Sequence, residues 1–504
     1  MRRILTALIP ATALLVLALA NATPAAASSG LQITATPGLY PGFTSTISDY
    51  VVRCQPGTPV SVSVTVPLGD EVFVDNQPGQ ISSFTTSVAV SAGQSFAVTD
   101  IGLTGGGASS YFVRCLPTDF PNFTSQKPGN PQAAYYVVKP SSLALFTPNP
   151  PLQYIAVFNT DGVPVWWLPD GPGFDAGILR NTNLTSIVFK KHPEVEVHRL
   201  DGTLAAGFDT ANLGSSTPFS AADGHDVQLL PNGDYLTAEI HTTTGDLSWM
   251  CVSGVCGSSS ALISDQTLEE ISPSGALVWS WDIGQHIPLT ETDPEWFAGI
   301  LNPQGLALAP GADDYHWNSV QEVGDNILFS LRNADAIYEI SKKTGKIIWK
   351  LGGTPRPESL RVVNDPVFDS GSGFGGQHFA RFYGGTTTQV TLHDNGTGRG
   401  RGPRGVRYAI SVSKRTATLL ESVSDPLVTS SACCGSATKL PGGDWVASWG
   451  FSSVVTELNP AGARQFLLQW TDPFEFSYRA EPVLPGVLSI GALRSAMNTQ
   501  YPRH

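Results

Sequence analysis

Strict alternation of apolar and polar positions marks the first part of the chain. The run Val60–Val66 alternates valine with serine or threonine, as a strand does when one of its faces is buried. The runs Tyr50–Cys54 and Tyr111–Cys115 resemble each other, and each ends in cysteine. These patterns predict a small β-sandwich over residues 28–130, and the segment Pro117–Pro131, rich in proline and asparagine, is interpreted as a linker.

A repeated hairpin pattern fills the chain from residue 131 to residue 504. One unit is a strand, a turn that usually contains glycine, and a second strand that often ends in tryptophan. Repetition of four-stranded sheets around an axis is a β-propeller. We therefore predict an all-β chain with a six-bladed β-propeller after the N-terminal β-sandwich. The six copies are Phe158–Trp166, Val197–Leu204, Glu270–Trp279, Glu339–Trp349, Ile410–Leu419 and Glu457–Phe466.

Residues 1–27 have the pattern of a secretory signal peptide. Arg2 and Arg3 precede the apolar run Ile4–Ala20, and the small residues Ala25–Ala27 suit a signal peptidase. The apolar run is short for a membrane span, so we expect no stable membrane insertion after cleavage, with an uncleaved anchor as the alternative. The predicted location is secreted or periplasmic.

Acidic composition excludes one class of partner. The formal net charge is -13, and removing two arginines and no acids with the signal makes it about -15. Non-specific nucleic-acid binding needs a basic face, so we expect no nucleic-acid partner. The composition leaves the oligomeric state open between a monomer and a homodimer.

Six cysteines in an exported chain are expected to form disulfides. We favour pairings that keep both cysteines within one structural unit. For the two adjacent cysteines, reduced or separately paired thiols are the alternative. The favoured pairs are Cys54 with Cys115, Cys251 with Cys256, and Cys433 with Cys434.

Three of the nine histidines occupy matching positions in successive repeats. His225 and His316 each lie eight residues before a turn glycine, and His378 lies seven residues before one. If this position opens the strand nearest the propeller axis, the three rings converge on the central channel. In the strand that follows, Arg332 and His393 are also in register and are predicted to line the same channel mouth.

Other polar residues carry weaker signals. Arg399 and Arg401 lie in a glycine-dependent loop and face either solvent or an anion. The remaining histidines without a pattern are interpreted as surface or packing residues: His192, His198, His241 and His286.

An ordered set of short motifs over roughly residues 132–490 resembles the bacterial arylsulfotransferase family, which works without a nucleotide sulfate donor. Two positions depart from the family pattern. His393 stands where the family has phenylalanine, and the Cys433–Cys434 pair is not part of the pattern. The motifs are His225-Asp226, His316-x-Asn318-Ser319, Ser330-Leu331-Arg332, Gln377-His378 and Asp394-Asn395-Gly396-x-Gly398-Arg399-Gly400.

The resemblance implies a six-bladed propeller and a ping-pong sulfotransferase. His378 would accept the sulfuryl group, while His225, His316 and Arg332 would hold its oxygens. Asn318 would assist beside His316, and Asn318 and His393 are the predicted substrate-binding residues. The implied partners are a small aromatic sulfate donor and a phenolic acceptor, and no cofactor is expected.

The residue types suit this chemistry. Sulfuryl transfer, by analogy with phosphoryl transfer, spreads charge over the transferred oxygens, so a site needs a nucleophile and fixed positive donors. Neutral imidazole is a nucleophile near pH 7, and Arg332 offers a planar fork for an oxyanion.

Two other interpretations stay open. One is a propeller whose three histidines bind zinc or copper, although Arg332 disfavours a neighbouring metal ion. The other is a non-catalytic secreted propeller that binds a ligand. A propeller with a quinone cofactor is a lesser alternative.

Overall fold

The computed structural model describes residues 30–103, 105, 107–142, 153–170, 176–178, 186–191, 194–208, 220–302 and 310–503. The predicted signal peptide, residues 1–27, and His192 lie outside these residues. Within the described ranges, no helix combines the length and apolar character needed to cross a membrane.

Strands form most of the regular structure. The first seven strands are β1 (Gln32–Thr36), β2 (Asp49–Arg53), β3 (Val60–Thr65), β4 (Asp70–Val74), β5 (Phe84–Val88), β6 (Ser95–Gly102) and β7 (Gly107–Leu116). The next fifteen are β8 (Phe123–Gln126), β9 (Tyr135–Ser142), β10 (Gln153–Asn159), β11 (Pro164–Asp170), β12 (Ala176–Ile178), β13 (Ser186–Lys191), β14 (Glu194–Arg199), β15 (Leu204–Phe208), β16 (Ser220–Ala222), β17 (Gln228–Leu229), β18 (Tyr235–Gly245), β19 (Cys251–Val252), β20 (Val255–Cys256), β21 (Ala261–Ile271) and β22 (Leu277–Asp282).

The second half of the chain continues in the same way. Its strands are β23 (Trp317–Val323), β24 (Asn326–Leu331), β25 (Ala336–Ser341), β26 (Ile347–Gly352), β27 (Arg361–Val363), β28 (His378–Phe382), β29 (Gln389–Asp394), β30 (Arg404–Ser411), β31 (Thr416–Val423), β32 (Ser436–Lys439), β33 (Trp445–Ser448), β34 (Val454–Leu458), β35 (Arg464–Trp470) and β36 (Glu475–Val483). The helices are α1 (Phe297–Leu301), α2 (Pro366–Asp369) and α3 (Ile490–Gln500), with single 3-10 turns at Leu289–Glu291 and Pro294–Trp296.

The chain divides into two compact units. The smaller contains Met1–Phe120, Val163–Val165 and Ser489–His504, and the larger contains Pro121–Gly162 and Trp166–Leu488. The first stretch of the smaller unit therefore ends about ten residues before the predicted domain boundary between residues 130 and 131. That boundary stays a prediction. The segment interpreted as a linker carries β8, which pairs with β35 of the larger unit.

The smaller unit is a β-sandwich. One sheet has the strand order β1-β3-β5 and the other β2-β7-β6-β4. In β3 the valines are buried while the residues between them are partly or fully exposed, as their alternation predicts. The inner faces of both sheets share one apolar core, which also contains Cys54 and Cys115. The helix α3 belongs to this unit. Ser489 caps its N-terminus, because the Ser489 side chain accepts a hydrogen bond from the Ala492 N–H.

The larger unit is a β-propeller, and the all-β class is confirmed. Its described residues form six sheets of four or five strands. Each of the six predicted hairpins joins neighbouring strands of one sheet on its outer side, for example β25 and β26. The C-terminal strand β36 pairs with β9 and so completes the first sheet from the other end of the chain.

Contacts between strands of neighbouring sheets close the six sheets into a ring. Along the ring, β36 contacts β12, β14 contacts β16, β18 contacts β23, β23 contacts β28, β29 contacts β32, and β32 returns to β36. The apolar core lies between the faces of neighbouring sheets. One cluster joins Leu328 and Trp349 of one sheet to Leu392 and Tyr408 of the next.

The structure joins the six cysteines in the three favoured pairs. Cys251 and Cys256 connect the two short strands β19 and β20. Disulfides are typical of proteins in oxidising compartments, in agreement with an extracytoplasmic protein.

Candidate functional site

The starts of the inner strands bring the predicted histidines together. His225 precedes β17, His316 directly precedes β23, and His378 is the first residue of β28. The ring centroids of His225 and His316 are 5.0 Å apart. The ring of Tyr478, on β36, lies 6.0 Å from that of His225 and 6.2 Å from that of His378. Tyr478 was not predicted as a site residue, because it comes from the strand that closes the ring of sheets.

An aspartate holds the Nδ1 atom of two of these histidines. Asp223 contacts Nδ1 of His225, and Asp313 contacts Nδ1 of His316. Burial lowers the pKa of His316, while the Asp313 carboxylate opposes this shift. Each ring is held through Nδ1, so Nε2 is the atom left for a substrate. Each aspartate lies within three residues of its histidine in the chain. This local pattern was visible in the sequence, but the prediction used only the matching positions of the histidines.

Arg332 lies beside these rings without an ion pair among the described residues, although the Asp313 carboxylate acts on its charge. Its backbone N–H donates to the His316 carbonyl over 3.0 Å, and its guanidinium stacks 4.0 Å from the Trp296 ring. In the described part of the chain, the buried Nε atom of Arg332 has no hydrogen-bond partner. No described carboxylate forms an ion pair with its guanidinium group, and the nearby Asp313 and Asp335 pair with other side chains. Arg332 is only partly buried, and a guanidinium group without an ion pair is suited to hold a bound anion.

His378 is fully buried and held on both sides. Its Nδ1 lies 2.7 Å from the Gly376 carbonyl and 2.9 Å from Oδ1 of Asn395. Both partners accept, so Nδ1 carries the proton. The Cys434 N–H donates to Nε2 over 3.1 Å, so Nε2 presents a lone pair. Burial, followed by the charge of Arg332, holds the pKa of His378 well below its usual value, and the ring is neutral at pH 7.

Asn395 links His378 to the adjacent cysteines. Its Nδ2 donates to the Ser431 hydroxyl over 2.7 Å and to the Cys434 carbonyl over 2.9 Å. These two bonds orient Oδ1 toward His378. The Cys433–Cys434 pair therefore contacts the candidate nucleophile directly through its backbone.

The two residues predicted to bind substrate are placed differently from the histidines. The Asn318 side chain donates to the Gln377 carbonyl over 2.8 Å and so holds the start of β28. His393 is fully buried opposite His378 in the neighbouring strand, and its ring lies 5.8 Å from that of Trp449. Neither nitrogen of His393 has a partner among the described residues, and burial lowers the pKa of His393 to about 4. Their roles in substrate binding stay predictions.

Both arginines of the glycine-rich loop are ion-paired. Arg399 contacts Asp293 over 3.0 Å and Asp335 over 2.5 Å, and Arg401 contacts Asp394 over 2.7 Å. The sequence left open whether these two arginines face solvent or bind an anion. Carboxylates of the propeller pair with both guanidinium groups instead.

Asp226 connects four sheets next to the histidines. Its carboxylate accepts from the Val320 N–H over 2.7 Å, from Arg381 over 2.9 Å and from Arg479 over 2.8 Å. Both guanidinium groups also lie over the Phe379 ring. This carboxylate therefore holds together the inner strands on which the site is built.

Two of the unpatterned histidines pack as interpreted. His198 contacts Glu196, and the His286 ring stacks on Trp281. His241 lies close to Asp265 and Asp282.

The family model described as Arylsulfotransferase (ASST) matches residues 186–469, more than half of the chain. The chain belongs to the arylsulfotransferase family. The matched range contains His225, His316, Arg332 and His378, and membership supports a sulfotransferase.

No curated protein matches this chain. Among solved structures, an auxiliary nutrient binding protein from Bacteroides ovatus is 12% identical over 92% of this chain and 92% of its own, with a TM-score of 0.33. The calcium-binding protein regucalcin from Agrobacterium tumefaciens is 10% identical over 73% of this chain and 95% of its own, with a TM-score of 0.30. Streptogramin B lyase is 11% identical over 69% of this chain and 98% of its own, with a TM-score of 0.26. Likeness at this level carries no conclusion about activity.

Proposed function

We propose that this arylsulfotransferase moves a sulfuryl group from an aryl sulfate ester to a phenol through a covalent sulfohistidine at His378. The observation that carries the proposal is the neutral, buried His378 ring with its lone pair on Nε2, in the electrostatic field of the unpaired Arg332. Family membership supports the reaction class.

The first half-reaction forms a nitrogen–sulfur bond. The Nε2 lone pair attacks sulfur, the bond between sulfur and the aryl oxygen breaks, and the phenolate leaves with the electron pair. His225 supplies the proton to that oxygen from Nε2, since its Nδ1 is already held by Asp223. Arg332 stabilises the charge on the sulfuryl oxygens.

The second half-reaction reverses these roles. A phenolic acceptor gives its proton to the histidine that acted as acid, its oxygen attacks sulfur, and the nitrogen–sulfur bond breaks to restore neutral His378. The Cys434 N–H, which donates to Nε2 in the free enzyme, is close enough to donate to a sulfuryl oxygen in the intermediate.

The test is the intact mass of the protein after mixing with 4-nitrophenyl sulfate. We expect a gain of about 80 Da, the mass of SO3, that is absent from His378→Ala and retained by the control His198→Gln. An adduct that persists in His378→Ala would overturn the assignment of the nucleophile. Absence of both adduct and nitrophenol release from the folded wild type would overturn the enzymatic function and favour a ligand-binding propeller.

We also propose that the protein acts outside the cytoplasm. Three disulfides and the predicted signal peptide support this location. Fractionation of the native host tests it, and recovery of the full-length chain in the cytoplasm would overturn it.

A further inference from the structure

A second group of ligand-type side chains lies on one face of a single sheet. His241 in β18 pairs directly with Asp265 in β21, so both side chains point to the same side. Asp282, the last residue of β22, pairs with Thr267, which is two residues from Asp265 and therefore on that face too. One ligand atom from each of His241, Asp265 and Asp282 lies within 4.8 Å of the others.

These three side chains do not satisfy one another. Among the described residues, no hydrogen bond or ion pair joins His241 to either aspartate, and the buried Nδ1 of His241 has no partner. His241 is 8% exposed and Asp265 is 5% exposed. A buried imidazole nitrogen without a partner, beside two carboxylates, is an arrangement that needs a further group.

The Asp265 carboxylate is held in place by backbone. The Gln266 N–H donates to its Oδ1 over 2.7 Å, and the Gly284 N–H donates to it as well. A side chain at Gly284 would collide with this carboxylate. Backbone donors therefore fix this carboxylate beside His241 and Asp282.

We propose that His241, Asp265 and Asp282 form a binding site for one divalent zinc ion. An imidazole nitrogen and carboxylate oxygens are ligands that zinc prefers, at about 2.0–2.2 Å from the ion. Ligand atoms on one such ion are separated by roughly 3–4 Å, which the observed cluster reaches with a small inward shift. Three protein ligands leave a coordination position for water.

The site is separate from the proposed sulfuryl-transfer residues. Its ligands lie on strands of one sheet, whereas His225, His316 and His378 come from the inner strand starts of three sheets. In those three rings Nδ1 is already occupied by a protein acceptor. Zinc binding and sulfuryl transfer can therefore be tested independently.

The experiment is a calorimetric titration of ZnCl2 into the full chain, purified without a histidine tag and stripped with a chelator. We expect one zinc per chain and at least tenfold weaker binding in His241→Ala, Asp265→Asn and Asp282→Asn. Gly284→Ala keeps all three ligands but displaces Asp265, and we expect it to weaken binding too. The control variants His378→Ala and His198→Gln should bind zinc as the wild type does.

A second measurement covers variants that fold poorly. Zinc should raise the Tm of the wild type and leave that of Asp265→Asn unchanged, because a ligand stabilises only the state that binds it. The proposal is overturned if the wild type binds no zinc at 100 μM, if Asp265→Asn and Asp282→Asn bind within twofold of the wild type, or if His378→Ala abolishes binding.

Discussion

Replacement of Arg332 by methionine should abolish most activity and yet leave the protein as stable or more stable. The guanidinium stacks on Trp296, but its buried Nε has no partner and no described carboxylate pairs with it. In the proposed reaction its guanidinium forms an ion pair only when the sulfuryl group is bound. Catalysis and stability therefore place opposite demands on this side chain.

The two magnitudes follow from the contacts. Loss of one oxyanion-stabilising donor typically lowers kcat by about 10²–10³. An unpaired buried donor costs about 1–3 kcal/mol, and the stack on Trp296 returns roughly 0.5–2 kcal/mol. Methionine keeps an apolar contact with the indole and removes the donor. We expect the free energy of unfolding of Arg332→Met to rise by about 1 kcal/mol or to stay unchanged.

Arg399 provides the matched control. It also belongs to this region, but it pairs with Asp293 and with the buried Asp335. Removing one partner of a buried ion pair leaves the other unpaired, which costs about 3 kcal/mol. Arg399→Met should therefore be clearly destabilised, whereas Arg332→Met should not.

The assays are urea unfolding followed by tryptophan fluorescence and release of nitrophenol from 4-nitrophenyl sulfate. The reasoning is refuted if Arg332→Met loses more than about 1 kcal/mol of stability, since the guanidinium would then have a structural partner. Unchanged kcat in the same variant would refute its role in holding the sulfuryl oxygens.

Three further predictions follow from the same contacts. Asn395→Ala should lower kcat about tenfold with little change in KM, because His378 loses a partner at Nδ1; a change confined to KM would contradict this. His393 has a folded pKa of about 4 against 6.5 normally, so the unfolded chain binds its proton first and stability falls as pH drops below 6.5. Between pH 6.5 and pH 5, His393→Leu should lose less stability than the wild type, by up to about 2 kcal/mol, as measured by urea unfolding at both pH values. The same pH dependence in both proteins would count against this prediction. Asp226→Asn should cost about 3 kcal/mol, since it leaves two buried arginines without their carboxylate; a loss below 1 kcal/mol would show that other partners hold them.

Local patterns were sufficient for much of the fold. Turn glycines such as Gly345, which adopts a φ of +67°, end one strand and begin the next within a few residues. The alternation of Val60–Val66 likewise depends on one strand with one buried face. Because both signals lie within one hairpin, they could be found without knowing how the sheets pack. The boundary between the two compact units could not be found in this way, because β8 lies in a proline-rich segment and pairs with a strand from the end of the chain.

The histidine positions were predictable for a related reason. A position that repeats in every sheet has the same place relative to the propeller axis, so His225, His316 and His378 were expected to converge before any contact was known. The aspartates that hold two of these rings carried a local signal as well, since Asp223 and Asp313 lie close to their histidines in the chain.

Sequence alone therefore predicted the all-β class, the repeated hairpins and the set of converging histidines, and it favoured the cysteine pairs over their alternatives. Only the tertiary structure decided that Cys434 donates to His378, that Tyr478 lies between the rings, and that Arg332 lacks a carboxylate while Arg399 has two. The physical reason is the separation along the chain of the residues that interact. Turns and alternation arise from residues close together in the chain, whereas ion pairs and ring contacts depend on which inner strands become neighbours when the last strand closes the ring of sheets.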